Sequence, residues 1–79
     1  MSLIRLRENL RYLRATRSYT QEQVGNMIGI GAKVYQTWEL GRITPDTPRL
    51  FIISQLYDVS INDLVRKDLT KVFTINSQN

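Results

Sequence analysis

Neither cysteine nor histidine occurs in this chain of 79 residues. Their absence removes disulfides, thiolate nucleophiles and the ligand sets of the common zinc sites, together with the side chain most used to move protons near neutral pH. The seven acidic residues are scattered, and several fall at helix starts, so they assemble no carboxylate pair, nucleophile with base, or metal cluster. A glycine-rich phosphate loop is also missing. Enzymatic activity, a metal and a cofactor are therefore not expected. No apolar run approaches the roughly 20 residues that a helix needs to cross a bilayer, and no charged segment with an apolar run and small-residue cleavage site opens the chain. A cytoplasmic protein without a membrane partner is expected.

What is present fits one small globular domain. Hydrophobic residues make up 42% of the chain and charged residues 23%, ordinary values for a folded protein. A core of this size is modest, so good helix packing or a partner must support it. The formal net charge is +4 and the pI about 9.9, a balance common in small nucleic-acid binders but equally compatible with a solvated basic surface. Position gives the charge more meaning. Arg5, Arg7, Arg11, Arg14 and Arg17, five of the eleven basic residues, fall in one predicted helix over 3–17. Leu3, Leu6, Leu10 and Leu13 form its core stripe, and Arg5, Arg7, Arg11 and Arg17 read as a solvated face with snorkelling stems.

The chain is organised around TQEQVGNMIGIGAKVYQTWEL, residues 20–40. Thr20 with Gln23 offers a capping box, Val24, Met27 and Ile28 recur at helical spacing, and Gly29 stops the helix. Ile30 and Gly31 leave only a tight turn before a second amphipathic helix marked by Val34, Tyr35 and Trp38, which Gly41 closes. Tyr35 and Trp38 share the inward stripe with Ile30 and read as core. Two short helices joined by such a turn form a helix-turn-helix unit. Gly25 stands inside the first of them at a cost of about 1 kcal/mol against alanine, so a packing gain is expected there.

Beyond this unit, Thr47-Pro48 predicts a fourth helix with a threonine cap and proline at its first position, running to about Tyr57 with Leu50, Ile53 and Tyr57 inward. Ile52 and Leu56 make a second apolar pair, either an interface or scattered exposed side chains. Ser60 and Asp63 signal a fifth helix carrying Ile61, Leu64 and Val65. Residues 69–75 alternate with β-branched and aromatic side chains, predicting a short strand or extended arm rather than a sixth helix.

The whole is similar to the lambdoid phage repressor and Cro family, the xenobiotic-response-element family of helix-turn-helix proteins. The likeness rests on Leu10, Leu13, Arg14, Thr20-Gln21, Val24, Ile28-Gly29-Ile30, Glu39-Leu40-Gly41, Pro45, Val59-Ser60-Ile61 and Leu64, and it covers Leu6 to about Val65 without a gap. The resemblance implies an all-α fold of five helices over 3–67, with 68–79 as a C-terminal arm outside its reach.

It further implies that the third helix enters the major groove of duplex DNA. Lys33, Ala32, Thr37 and Val34 would then meet bases, with Gln21 touching DNA or buttressing a base-contacting side chain. Thr20, Gly31, Gln36, Arg42 and Thr44 would meet phosphates, although for Thr20 simple helix capping explains the residue as well. Arg14 and Glu39 would pair structurally. Tyr19 would staple the second helix, Gly31 would cap the third in place of the usual Ser or Thr, and Tyr35 opposite Gly25 would exchange a larger ring for the usual alanine methyl.

Two functional readings follow. In the first, the chain is a sequence-specific regulator of transcription, a repressor binding a palindromic operator as a homodimer, with Ile52, Leu56, Val72, Phe73 and Ile75 at the dimer interface and no small-molecule ligand. In the second, it is an antitoxin or interaction module whose fourth helix and arm silence a protein partner.

Overall fold

The computed structural model describes residues 4–71 of the chain. Five α-helices follow in order, α1 (Ile4–Thr16), α2 (Gln21–Ile28), α3 (Gly31–Glu39), α4 (Thr47–Tyr57) and α5 (Ile61–Arg66), and a single 3₁₀ turn spans Leu69–Lys71. The first three positions of the expected strand thus form a helical turn, because Asp68 caps it: its carboxylate accepts from the Thr70 amide at 3.1 Å. Val72, Phe73 and Ile75 lie outside the described residues.

The helices close on one core of Leu6, Leu10, Leu13, Val24, Ile28, Tyr35, Trp38, Ile53, Tyr57 and Leu64. Helix α1 lies across α3 and α5, and α2 packs most extensively on α3. Tyr35 and Trp38 meet edge to face, with ring centroids 6.0 Å apart. Tyr19 is half-buried against the same core. Met27 is not part of it. Val24, Gly25 and Ile28 are the buried positions of α2, so the inward arc leans toward Gly25 and leaves Met27 on the solvent side.

That lean has a specific cause at Gly25. A Cβ built there would lie 2.5 Å from the Gly31 carbonyl carbon and 2.9 Å from the Ala32 nitrogen. The missing methyl therefore makes room for the backbone of the α2–α3 turn, and the expected exchange of volume with the Tyr35 ring is not the reason for glycine. The turn itself is a Schellman closure. Gly29, at φ 90°, donates to the Asn26 carbonyl at 3.2 Å, and Ile30 donates to Gly25 at 2.9 Å. Ile30 occupies the cap position of α3 without a side-chain hydrogen bond, and Gly31 follows as the first helical residue at φ 83°. The sequence expectation of a capping Gly31 is thus shifted by one, and what glycine supplies is a left-handed backbone.

Other helix starts follow side-chain chemistry. Thr20 Oγ1 accepts from the Gln23 amide at 3.0 Å and Gln23 Oε1 accepts from the Thr20 amide at 2.8 Å, a complete capping box. Ser60 accepts from the Asp63 amide at 3.0 Å. At α4 the cap is Asp46 rather than Thr47. Its Oδ1 accepts from the Arg49 amide at 3.1 Å and its Oδ2 from the Arg49 guanidinium, so the carboxylate does two jobs a hydroxyl could not, and Pro48 still sits in the first turn, where no amide is needed.

One buried polar side chain joins the ends of the fold. Asn9 is fully buried in α1, between Leu6 and Leu10. Its amide donates to the carbonyls of Leu64 at 2.8 Å and Lys67 at 2.6 Å, and its oxygen accepts from the Leu69 amide at 3.1 Å. Three backbone groups at the exit of α5 thus find their partners in one side chain.

Candidate nucleic-acid interface

The outward surface of α3 follows from what its inward side must bury. Tyr35, Trp38 and Glu39 are buried, so at about 100° per residue the positions 32, 33, 36 and 37 face away from the core. Lys33 and Gln36 are exposed, Ala32 and Thr37 half-buried, and Val34 stands at the edge of the arc with 42% exposure. Thr37 Oγ1 donates back to the Val34 carbonyl at 2.6 Å. Its hydroxyl hydrogen is committed to the helix, which favours apolar contact by its methyl over a donated hydrogen bond. Arg42 and Thr44 are exposed on the loop beyond α3. Among the described residues neither Lys33 nor Arg42 has an ion-pair partner. Both cations are therefore available to an anion.

Behind this surface lies a charged cluster that joins three helices. Arg14 donates from Nε to Glu39 Oε2 at 2.7 Å and from Nη2 to Glu39 Oε1 at 3.0 Å, a fork geometry that fixes α1 against the end of α3. Arg14 Nη1 also donates to the Tyr19 carbonyl at 3.1 Å, and Gln21 Nε2 donates to Glu39 Oε1 at 3.2 Å. Gln21 is held to α3 by this bond, and its carbonyl oxygen and second amide hydrogen remain for another contact. Burial would push the Glu39 carboxyl upward, but the hydrogen bonds from Arg14 and Gln21 and the Arg14 charge outweigh it and hold the group below the usual range. The hydrogen bond that Arg14 donates to Glu39 in turn raises the guanidinium. The Tyr35 hydroxyl lies in the field of this carboxylate, yet it completes no hydrogen bond of good geometry. Desolvation, with Glu39 second, raises it strongly. Tyr57 is pushed up to about 12, mainly by burial.

Thr20 does not have to choose between its two roles. Its oxygen accepts in the capping box while its own hydrogen is free to donate, and it is exposed at the N-terminus of α2, where backbone amides and the helix dipole favour a phosphate. Gly31 is half-buried in the turn at the other end of α2.

Several side chains that the spacing assigned to a solvated face are engaged. Arg7 Nη1 donates to the Leu40 carbonyl at 3.2 Å, and Arg11 Nη2 reaches the Glu39 carbonyl at 3.5 Å. Arg5 pairs with Asp68 at 3.1 Å, and Arg17 stacks over the Tyr57 ring at 5.5 Å. The signal that could have found Arg7 and Arg11 was their spacing from Arg14, which puts all three on one strip of α1. On α4, Ile52 is 40% exposed and its neighbour Phe51 56%, whereas Leu56 is half-buried against the core. Leu50 to Ile53 are four apolar residues in a row, so spacing alone gave no reason to single out Phe51. Among the described residues no group of acidic side chains could hold a metal ion, and no helix is long and apolar enough to cross a membrane.

Comparison with known proteins agrees with this geometry. The helix-turn-helix family model matches residues 10–64. An uncharacterised HTH-type transcriptional regulator of Bacillus subtilis, YqaE, is 36% identical over 67 residues, which are 84% of this chain and 58% of that protein. The transcriptional repressor RstR of the cryptic phage CTXphi in Vibrio cholerae is 33% identical over 63 residues, 80% of this chain and 57% of that one. The chain thus spans little more than half the length of these relatives. No solved structure matches. The match over residues 10–64, the two helices around a Schellman turn and the Arg14–Glu39 fork together make this chain a member of the Cro/C1-type helix-turn-helix family of transcriptional regulators.

Proposed function

We propose that the chain binds double-stranded DNA in a sequence-specific way and represses transcription as a homodimer on a two-fold operator with half-sites about 10 bp apart. The observation that carries this reading is the outward arc of α3, turned away from the core with Lys33 exposed and, among the described residues, unpaired, on a helix whose opposite side is fastened by the Arg14–Glu39–Gln21 cluster. Lys33 donates to guanine O6 and N7, while Ala32, Val34 and the Thr37 methyl pack on thymine methyl groups. Thr20, Gly31, Gln36, Arg42 and Thr44 hold phosphates and set the register of the protein on the duplex. The unit over 3–67 carries the contact with DNA. Ile52 and the 68–79 arm, with Val72, Phe73 and Ile75, serve the two-fold contact, and Phe51 joins them because it is the more exposed neighbour on α4. Leu56 contributes from below, through the core.

Selection of bound duplexes from a randomised pool, at two salt concentrations, tests the reading. Enrichment of a two-fold symmetric site is expected, with one preferred base lost in Lys33→Ala. A pool that stays unenriched at low salt, while binding occurs, refutes sequence-specific recognition. The exposed Phe51 and Ile52 would then favour a protein-silencing role, tested by co-purification with a candidate partner.

A further inference from the structure

The last carbonyls of a helix have no partner within it, and in a buried or bound end each needs one. At the end of α3 they can be followed one by one. The Gln36 carbonyl accepts from the Leu40 amide at 3.0 Å, Thr37 accepts from Arg42 at 2.9 Å, and Trp38 accepts from Gly41 at 3.1 Å. The last two bonds are a Schellman closure, made possible by Gly41 at φ 78°. That motif leaves two carbonyls over, those of Glu39 and Leu40. They are the two that Arg11 and Arg7 reach, at 3.5 and 3.2 Å.

The fit extends to carbon. A Cβ at Gly41 would lie 3.1 Å from Arg7 Cδ and 3.2 Å from its Nη1, so the guanidinium and its stem lie over the glycine as a lid. Arg7, Arg11 and Arg14 stand at i, i+4 and i+7 on α1, and each meets the same last turn of α3. Their three cations also face the negative end of that helix dipole.

We propose that Arg7 and Arg11 are positioning residues that aim α3 and the loop carrying Arg42 and Thr44 at the duplex. The inference rests on the DNA-binding reading above. Lys33 and Thr37 read bases from within the helix, while Arg42 and Thr44 anchor phosphates just past its exit. Sequence recognition requires both sets to engage in one register, and the two arginines fix the angle at the joint between them. Neither arginine touches DNA.

The test is the double variant Arg7→Gln, Arg11→Gln in the full chain, measured on the selected duplex and on a scrambled one across a salt series. The ratio of affinities is expected to fall about tenfold while the dependence of log affinity on log salt keeps its slope, because no phosphate contact is lost. A slope shallower by about 0.9 for each arginine would mean that they bind phosphate directly, which overturns the proposal. An unchanged ratio overturns it too, whatever happens to the melting temperature. Amide hydrogen exchange on the free protein reads the joint without DNA: Gly41, Arg42 and Ile43 are expected to exchange faster in the variant while α2 keeps its protection. Unchanged exchange at those three amides refutes the positioning role. If the wild-type protein prefers no duplex, the DNA reading fails by itself and the exchange result still decides whether the arginines hold the joint.

Discussion

Replacing Gly25 with alanine sets two effects of opposite sign against each other. Inside an eight-residue helix, alanine is the better former by about 1 kcal/mol, so propensity alone predicts stabilisation. The structure predicts the reverse. The new methyl would sit 2.5 Å from the Gly31 carbonyl carbon and nearer still to its oxygen, against 3.4 Å for ordinary contact, so the α2–α3 turn must retreat by about 1 Å. The obstacle is backbone, which cannot rotate away as a side chain would. Overpacking of this kind costs about 1–3 kcal/mol, and a backbone obstacle belongs at the upper end. The net loss is then about 2 kcal/mol, or roughly 8–16 °C in melting temperature for a domain of this size. Thermal denaturation followed by circular dichroism measures it. Gly29→Ala is the control: a methyl there meets nothing within 4 Å, so only the left-handed φ is strained, at about 1 kcal/mol. A melting temperature for Gly25→Ala above that of the wild type would show that the close approach of the two helices is not what glycine serves, and the reasoning would fall.

Three other outcomes are expected. Asn9→Ala leaves the Leu64 and Lys67 carbonyls and the Leu69 amide without their partner and should lower stability by about 2–4 kcal/mol; a loss under 1 kcal/mol in urea denaturation would mean that water replaces the side chain. The Glu39 carboxyl has a folded-state pKa below its ordinary value of 4.5, so its contribution is present above that pH and is lost as pH falls through the lower value in the folded protein. Glu39→Gln should therefore be clearly less stable than wild type at pH 7, by about 3 kcal/mol, and the gap in urea midpoint should narrow as pH falls below 4.5; a gap independent of pH refutes the ion pair as its source. Arg42→Gln should weaken binding to every duplex alike and reduce the salt slope by about 0.9, and a changed base preference would make Arg42 a reader instead of an anchor.

The parts of this fold that were legible in the sequence are those set by short-range chemistry. The capping box at Thr20, the stop at Gly29 and the cap at Ser60 need only a hydroxyl and a spacing of three, and the leucine stripe of α1 needs only periodicity. Long-range polar contacts were not legible. Asn9 reads as one polar residue beside a leucine, and nothing local announces that its partners come from the far end of the chain. Arg7 and Arg11 look like any exposed arginines until the last turn of α3 is seen under them. At α4, Asp46 and Thr47 are both good caps one residue apart, so local chemistry could not choose; in the structure Asp46 takes the Arg49 amide and pairs with its guanidinium. Of the candidate contacts with DNA, the outward arc of α3 follows from burying Tyr35 and Trp38, whereas for Gln21 the resemblance implies a DNA contact or a buttress, and its bond to Glu39 emerges only in three dimensions.

The Asn9 junction also bears on the order in which the chain folds. Its three hydrogen bonds join residues 55, 58 and 60 positions apart, while the α2–α3 hairpin is closed by contacts between near neighbours. Closing a long loop is entropically slow, and a short hairpin forms on a faster scale. In a chain emerging from the ribosome, all residues of the hairpin are out before residue 64 appears. Helix α1 then waits for the exit of α5. Changes at Asn9 should accordingly speed unfolding and leave the folding rate nearly untouched, while changes in the hairpin act on folding itself. The helix that meets DNA would thus be built early, and its final orientation would be fixed only when the two ends of the domain close on each other.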